Sequence, residues 1–340
     1  MQELSLFFST LFSSTLAEVA SIAQYPFDAN KRIFGWYLLG AVVLALPVYW
    51  QTSRSKSVQG LFRFLFPKQV YLSRSAGHDY ALLVCNKLIK ALLYAPLILT
   101  MVPVALMLSD TLEQSFGVLE PLTSNAVMVM GIFTVLLFLL DDASRYLLHL
   151  VLHKVPFLWA FHAVHHSAKV LTPFTIYRSH PVESYLYACR MALAQGCAVG
   201  IGYYLFGANL KMYDVLGANI FVFIFNVCGA NLRHSHIWLS WGNRGEGWFI
   251  SPAQHQVHHS IAIEHRDKNL GSALSIWDRL GGSLVKASEV DPATLKIGIH
   301  NDAGHQSLMG IYLSPFKQAW RAITTAKVVS RVVKTSSTQR

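Results

Sequence analysis

The chain is short of charge. Charged residues make up 14% of its 340 residues, against 53% hydrophobic ones, whereas a soluble domain carries about a quarter charged. That balance excludes an ordinary water-soluble domain. Acid is scarcer still: 18 Asp and Glu face 28 Lys and Arg, for a net charge of +10. The surplus bases lie beside apolar stretches, so attraction to anionic lipid headgroups accounts for them, with no nucleic acid as a partner. Cysteine is rare. Cys85, Cys189, Cys197 and Cys228 form no CxxC pair, which excludes a disulfide frame or a zinc knuckle and leaves small buried hydrophobes. No Gly-rich dinucleotide fingerprint and no haem-binding domain is recognisable. Residues 4–23 are apolar and rich in Ser and Thr. They lack a basic start and a small-residue cleavage site, so they suit an interfacial helix better than a signal peptide. No internal repeat is visible, and Thr335 to Arg340 reads as disordered.

Long hydrophobic runs are what the chain does have. Residues 34–50, 88–108 and 125–148 each read as a membrane span on length and polarity. Pro96 and Pro103 mark the second for a kink or a split into a re-entrant pair. Stretches 185–206 and 213–231, joined by Gly207–Met212, read as a hairpin of spans. Arg54, Lys56, Arg63, Lys68 and Arg74 follow the first span without an acid among them. The loop 109–123 holds Asp110, Glu113 and Glu120 and no base. The positive-inside rule then puts 51–75 in the cytoplasm and 109–123 across the membrane. The third span and the hairpin both return to the cytoplasmic side, as does the basic tail with Lys317, Arg321, Lys327, Arg331, Lys334 and Arg340.

Three histidine clusters land on that one side: His149-x3-His153, His162-x2-His165-His166 and His255-x2-His258-His259. Spacings of three and four share a helix face, so each cluster can aim two or three imidazoles at one point. Neutral imidazole is the commonest metal ligand. Asp142 and Tyr146 lie on the face of His149 and His153, with Asp142 placed to receive a ligand's second N–H. Pro156 precedes the second cluster, and Ser251-Pro252 is the expected cap of a helix bearing the third. His234 and His236 are a fourth contribution, His234 favoured. His180 and His265 are candidates for lining the site, with capping or interfacial roles equally open to them; His78, His300 and His305 are structural.

Eight or nine imidazoles without clustered thiol suit two ions with open positions, unlike a closed structural zinc site. Nitrogen ligands serve iron, zinc and copper alike. The membrane setting favours iron, because zinc has no redox chemistry and needs a hydrolytic task. The Glu-x2-His pairs of soluble di-iron bundles do not occur among these residues.

At these residues the chain resembles the fatty acid hydroxylase/sterol desaturase superfamily. The resemblance rests on the ordered set HxxxH, HxxHH, HxxHH and its surroundings. These are Asp142 and Tyr146, Pro156-x2-Trp159-x2-His162, Arg178-x-His180-Pro181-x-Glu183, Ser251-Pro252-x2-His255, Asp267-x-Asn269-x-Gly271 and Ile276-Trp277-Asp278-Arg279-Leu280. It covers roughly residues 125–285. It implies an all-α integral membrane protein, with four or five transmembrane helices and a cytoplasm-facing helical cap carrying a histidine-rich dimetal site. The implied metal ligands are His149, His153, His162, His165, His166, His234, His255, His258 and His259. His236 stands where relatives often have Asn, which keeps it among the candidates. Asp142 and Tyr146 are the catalytic candidates, and Asn269 joins His180 and His265 beside the site. Leu270 replaces a Tyr of other members.

The implied enzyme uses two iron ions, for which zinc can substitute in purified protein, together with O2 and an external electron donor. That donor would be a separate ferredoxin, cytochrome or flavin reductase docking on the basic face. Hydroxylation of a membrane lipid at an acyl chain, sterol-like body or amino-lipid headgroup is the expected reaction. Desaturation and ether-lipid monooxygenation are alternatives within the superfamily; a membrane zinc hydrolase and a metal transporter are alternatives outside it. Four regions follow. Residues 1–75 hold the interfacial segment, first span and basic loop, and 76–124 the second span and acidic loop. Residues 125–285 are the catalytic domain and 286–340 a basic cytoplasmic tail. The site would face the cytoplasm, from the inner membrane of a bacterium or the endoplasmic reticulum of a eukaryote. Tyr203, Tyr204, Phe206, Phe221, Phe223 and Phe225 are candidates for lining a lateral substrate slot.

Overall fold

The computed structural model describes residues 13, 16–54, 56–91, 99–208, 210–300 and 302–337, with the side chains of 326–337 left aside. Most of them are helical. The helices that matter are α1 (Gly35–Thr52), α2 (Val58–Leu65), α3 (Arg74–Ile89), α4 (Met101–Phe116), α5 (Ala126–Lys154), α6 (Pro156–His166), α7 (Pro181–Phe206), α8 (Ile220–Val227), α9 (Pro252–His258), α10 (Ile276–Gly281) and α11 (Leu308–Ser337). A two-residue hairpin pairs β1 (Asp214–Val215) with β2 (Ala218–Asn219), Asp214 opposite Asn219.

Helix α5 starts where the Asn125 side chain accepts from the Val127 and Met128 amides. It stops at Val155 because Pro156 cannot continue it, and the same proline opens α6. That break folds α6 back on the end of α5, bringing the first two histidine clusters together. His180 caps α7 through Nδ1, which accepts from the Val182 amide. Ser251 and Gln254 form a reciprocal capping box on α9, as the Ser-Pro pair predicts.

Helices α4 and α7 approach closely because α7 presents Gly196 and Gly200 to α4. A Cβ on Gly196 would lie 2.6 Å from the Val104 Cβ, and one on Gly200 2.8 Å from the Ala105 carbonyl. Small residues four apart permit this contact between apolar helices. Helix α11 lies along α6, burying Ile311 against Val164 and Ala319 against Ala160 and Phe161. The supposed tail thus buttresses a histidine-bearing helix. It is helical through Ser337, while 338–340 lie outside the described residues.

Several expected spans change. Among the described residues one helix, α5, is long and apolar enough to cross a membrane, and only 22% of its most apolar stretch is buried in the protein. Helix α1 matches the first predicted run and α7 the fourth. The second run, 88–108, belongs to two helices: α3 ends at Ile89, α4 begins at Met101, and Pro96 lies outside the described residues. Asp110 and Glu113 belong to α4, not to a loop. The 213–231 run is no span. Its hairpin takes the first residues, and α8 has 8, about 12 Å at helical rise. Residues 4–12, 14 and 15 of the supposed interfacial helix lie outside the described residues. All four cysteines are free; Cys228 is exposed and the other three half-buried.

Candidate metal centre

Nine histidines converge. His149, His153, His162, His166 and His258 form one group, and His165, His234, His255 and His259 a second; within each group the ligand atoms lie within 4.8 Å of one another. The groups adjoin: the His166 and His259 rings are 4.6 Å apart, and His258 and His259 5.3 Å. All nine rings are buried.

Each HxxHH helix serves both groups. On α6, His162 and His166 turn to the first while His165 turns to the second; on α9, His255 and the adjoining His259 take the second while His258 takes the first. A helix advances about 100° per residue, so positions i and i+4 share a direction that i+3 only flanks. Two such helices facing each other build two adjacent sites.

The nitrogens fit metal. His149 and His162 bring their Nε2 atoms to 3.0 Å, His162 and His166 to 3.2 Å, His255 and His234 to 3.0 Å, and His234 and His259 to 3.2 Å. Ligands about 2.1 Å from a common ion stand about 3 Å apart. The buried Nε2 atoms of His153 and His258 have no hydrogen-bond partner, and an unpaired buried nitrogen is costly unless something binds it.

The opposite ring nitrogens are held in place. His149 Nδ1 is 2.7 Å from the Leu270 carbonyl, His258 Nδ1 2.8 Å from that of Lys268, and His165 Nδ1 3.2 Å from that of Arg178. His162 Nδ1 meets Glu183 Oε1 at 2.9 Å, and His153 Nδ1 meets Asp267 Oδ1 at 3.2 Å. A proton held at Nδ1 by an acceptor leaves Nε2 free to bind metal. His255 differs: its Nδ1 lies 2.8 Å from the Arg233 guanidinium.

One loop supplies three of these acceptors. Asp267 and Asn269 both adopt left-handed backbone, at φ +57° and +53°, which Asp and Asn tolerate better than most residues. The alternation aims the carbonyls of Lys268 and Leu270 at His258 and His149. Asn269 locks the loop, its Nδ2 donating to the Gln254 carbonyl and its Oδ1 accepting from the Val285 amide. Asp278 accepts from the Leu270 and Gly271 amides. A Cβ on Gly271 would come within 2.7 Å of that carboxylate.

Other candidates take different places. His236 is exposed and hydrogen-bonds the Phe64 carbonyl through Nε2 at 2.7 Å, so the structure assigns the convergent position to His234 alone. Asp142 meets no histidine. It accepts from the Ala273 and Leu274 amides and the Trp277 indole, fixing the α10 segment to α5. The carboxylates at the histidines are Glu183 and Asp267 instead. The Tyr146 hydroxyl lies against Gly281, where a Cβ would clash with it at 2.0 Å. His180 caps α7 and reaches the Tyr312 carbonyl with Nε2 at 3.1 Å. His265 is half-buried and meets no other ring of the two groups.

Cavities open on two sides of the centre. One, of about 700 Å³, reaches His153, His166 and His258 beneath α11. The other, of about 390 Å³, reaches His149, His162, His165, His234 and His255. None of the aromatics of 203–225 lines either. Phe223 packs edge-on against Phe34 and Tyr37, and Phe225 lies under Arg32 and Arg233.

Residues 134–283 match the family model for fatty acid hydroxylase. That stretch is a fatty acid hydroxylase domain. The chain is 29% identical over 171 residues to an ornithine lipid hydroxylase of Rhizobium tropici, covering 50% of this chain and 46% of that protein. It is 27% identical over 161 residues to the Delta(7)-sterol 5(6)-desaturase of Saccharomyces cerevisiae, covering 46% and 36%. With lathosterol oxidase of Rattus norvegicus the identity is 26% over 164 residues, 48% of each chain. The match thus spans less than half the length of each of these relatives. No solved structure matches the chain. Every convergent histidine and every carbonyl or carboxylate that orients one lies within the fatty acid hydroxylase domain.

Burial holds the free His162 and His165 rings down to about 3 and about 4, from 6.5. It pushes the Glu183 carboxyl up to about 7, from 4.5. Below pH 6.5 the unfolded chain takes up protons on the two rings that the folded chain refuses, so their contribution to stability falls with pH. Glu183 acts oppositely between about 7 and 4.5, where the folded chain holds the extra proton. His166, His234, His255, His258 and His259 are held down by burial as well, so the rings outweigh Glu183 and chelator-treated protein should lose stability as pH falls below 6.5. Denaturation followed by circular dichroism at stepped pH measures this. A flat profile would contradict neutral buried rings.

Proposed function

We propose that the chain is a multi-pass membrane oxidoreductase that uses two irons and O2 to hydroxylate a C–H bond of a membrane lipid. The observation that carries this reading is the pair of adjoining all-histidine groups, each reached by a cavity. Nitrogen donors without thiolate suit a redox-active first-row metal, and paired sites suit a reaction needing more than one electron. The bound irons would supply activation of O2. One oxygen atom enters the C–H bond and the other leaves as water, with two electrons and two protons drawn from a separate reductase.

The protein's own residues do the positioning. Glu183 and Asp267 hold protons on His162 and His153. The carbonyls of Leu270, Lys268 and Arg178 do the same for His149, His258 and His165. The burial of the nine rings keeps bulk water from the reacting carbon. Arg266, Lys317 and Arg321, all exposed, ring the larger cavity and suit an acidic electron donor.

The outer surface supports membrane residence. Trp36, Leu39 and Val43 of α1, Leu106 and Met107 of α4, Val127, Met128 and Ile132 of α5, and Met191 and Leu193 of α7 are all exposed, a larger apolar area than soluble surfaces carry. Helix α5 is about 43 Å long against a hydrocarbon layer of about 30 Å, so its last turns carry His149 and His153 beyond the lipid. The basic segments beside α1 and in α11 support a cytoplasmic position for that end.

The similarity to sterol desaturases favours desaturation as the second reading, in which a second hydrogen is removed in place of hydroxyl return. Lipid extracts of cells with and without the gene, grown under ¹⁸O2, distinguish the two. Hydroxylation gives a lipid gaining one labelled oxygen, and desaturation one losing two hydrogens. A product labelled from water would overturn both and point to a hydrolase.

A further inference from the structure

The smaller cavity has a charge that oxygen chemistry does not require. Arg32, Lys90, Arg145, Arg190 and Arg233 line it together with the histidines. Asp141 pairs with Arg145 at 2.8 Å and with Arg190 at 2.9 Å. Arg32, Lys90 and Arg233 have no carboxylate within ion-pair distance among the described residues. Arg233 is 7% exposed and Arg190 8%, and the Nε of each is buried without a hydrogen-bond partner. Arg32 donates to the neutral Asn226 side chain. A buried cation without a counter-charge, as Arg233 is, is destabilising, and a fold that keeps it beside half-buried Arg32 and exposed Lys90 around one cavity has a use for them.

We propose that this cavity binds an oxyanion, carboxylate or phosphate, carried by the lipid substrate within a few atoms of the carbon that reacts. This rests on the lipid oxidoreductase reading and narrows its substrate. Two further observations support it. Arg233 donates to the Ser272 carbonyl through one terminal nitrogen and meets His255 with the other, each at 2.8 Å, so an anion on its unpartnered Nε lies beside the histidine groups, not at the far end of an acyl chain. Met191 and Lys90 are its exposed lining residues, and Met191, 42% exposed, stands next to exposed Leu193 on the outer flank of α7. A charged head therefore enters from the bilayer side with its chain trailing along α7. A volume of about 390 Å³ admits a headgroup and a few carbons, not a whole lipid. A planar guanidinium binds such oxygens through paired hydrogen bonds.

The test uses the full chain in neutral detergent, with dodecyl phosphate and dodecanoate as probes and dodecanol as the uncharged control, read by calorimetry. Both anions should bind at least about tenfold tighter than dodecanol, and added salt should shrink the gap. Arg32→Gln should remove most of the preference, and Lys90→Gln, at an exposed position that will fold, should reduce it severalfold. Arg63→Gln on α2 should leave it intact. Equal binding of dodecanol and the two anions, or a preference unmoved by Lys90→Gln, overturns the proposal. Inorganic phosphate binding as tightly as dodecyl phosphate also overturns it, because the ligand would then be a free anion. The experiment needs no metal, so its failure leaves the oxidoreductase reading standing. Protein that binds the anions yet takes up no iron defeats that reading alone.

Discussion

His166→Ala should yield a folded protein that retains about one metal ion in place of two, with oxygen-dependent lipid turnover lower by at least about a hundredfold. His259→Ala should do the same from the other side. His166 belongs to the five-histidine group and His259 to the four-histidine one, so each substitution weakens one site while the other keeps its set. The surrounding helices are held by packing: α11 buries Ile311 and Ala319 against α6 whether or not the rings are present. Apolar burial of that kind survives loss of an imidazole better than a fold nucleated by metal would. His236→Ala, which removes contacts with the carbonyl and the ring of Phe64, should leave both metal content and turnover unchanged. Metal analysis of iron-supplemented preparations, together with oxygen uptake in lipid nanodiscs, reads all three. If His166→Ala and His259→Ala both strip the protein of all metal, the two groups form one indivisible centre. If neither changes the stoichiometry, the assignment of ligands fails.

The division of labour within each HxxHH run shows what a sequence can and cannot carry. That His162 and His166 share a helix face is local geometry, legible before any fold is known. That His165 turns to a different partner set depends on where α9 and the Ala230–His234 turn arrive. The His234 and His236 pair was ambiguous for the same reason, because alternate residues in an irregular segment face opposite ways and only packing says which is inward. Asp142 looked like the acid for His149 because it stands on the same helix face. Yet a carboxylate on α5 is nearer to the Ala273 and Leu274 amides, His149 meets the Leu270 carbonyl, and the acids that reach rings are Glu183, in the first turn of α7, and Asp267. The Arg178-x-His180-Pro181-x-Glu183 run held that signal: a carboxylate in the first turn of an otherwise apolar helix needs a buried partner. The supposed fifth span failed for a readable cause. Leu216 and Gly217 take positive φ and Asn219 caps α8, turn chemistry that outranks the hydrophobicity of Ile220–Val227.

Asp79→Ala should destabilise the protein by about 3–5 kcal/mol, far more than loss of a surface carboxylate. Asp79 and Arg178 are 0% and 1% exposed and meet at 3.0 Å. Asp79 also accepts from the Thr175 hydroxyl at 2.6 Å. Arg178 in turn donates to the Val164 carbonyl and to Ser167 at the end of α6, while its own carbonyl faces His165 Nδ1. One ion pair therefore joins α3 to the histidine-bearing helix and sets the acceptor for one ring of the second group. Removing the carboxylate leaves a buried guanidinium without a counter-charge, and that uncompensated charge is the source of the large effect. Replacing both partners, Asp79→Ala with Arg178→Met, removes the charge as well and should recover much of the loss, since apolar side chains of similar volume tolerate the site. The backbone carbonyl at 178 survives in the double variant, so its metal content should return with its stability. Urea denaturation in micelles reads the first effect and metal analysis the second. A double variant no more stable than Asp79→Ala would mean that the hydrogen bonds of Arg178, not the burial of its charge, hold α6 in place.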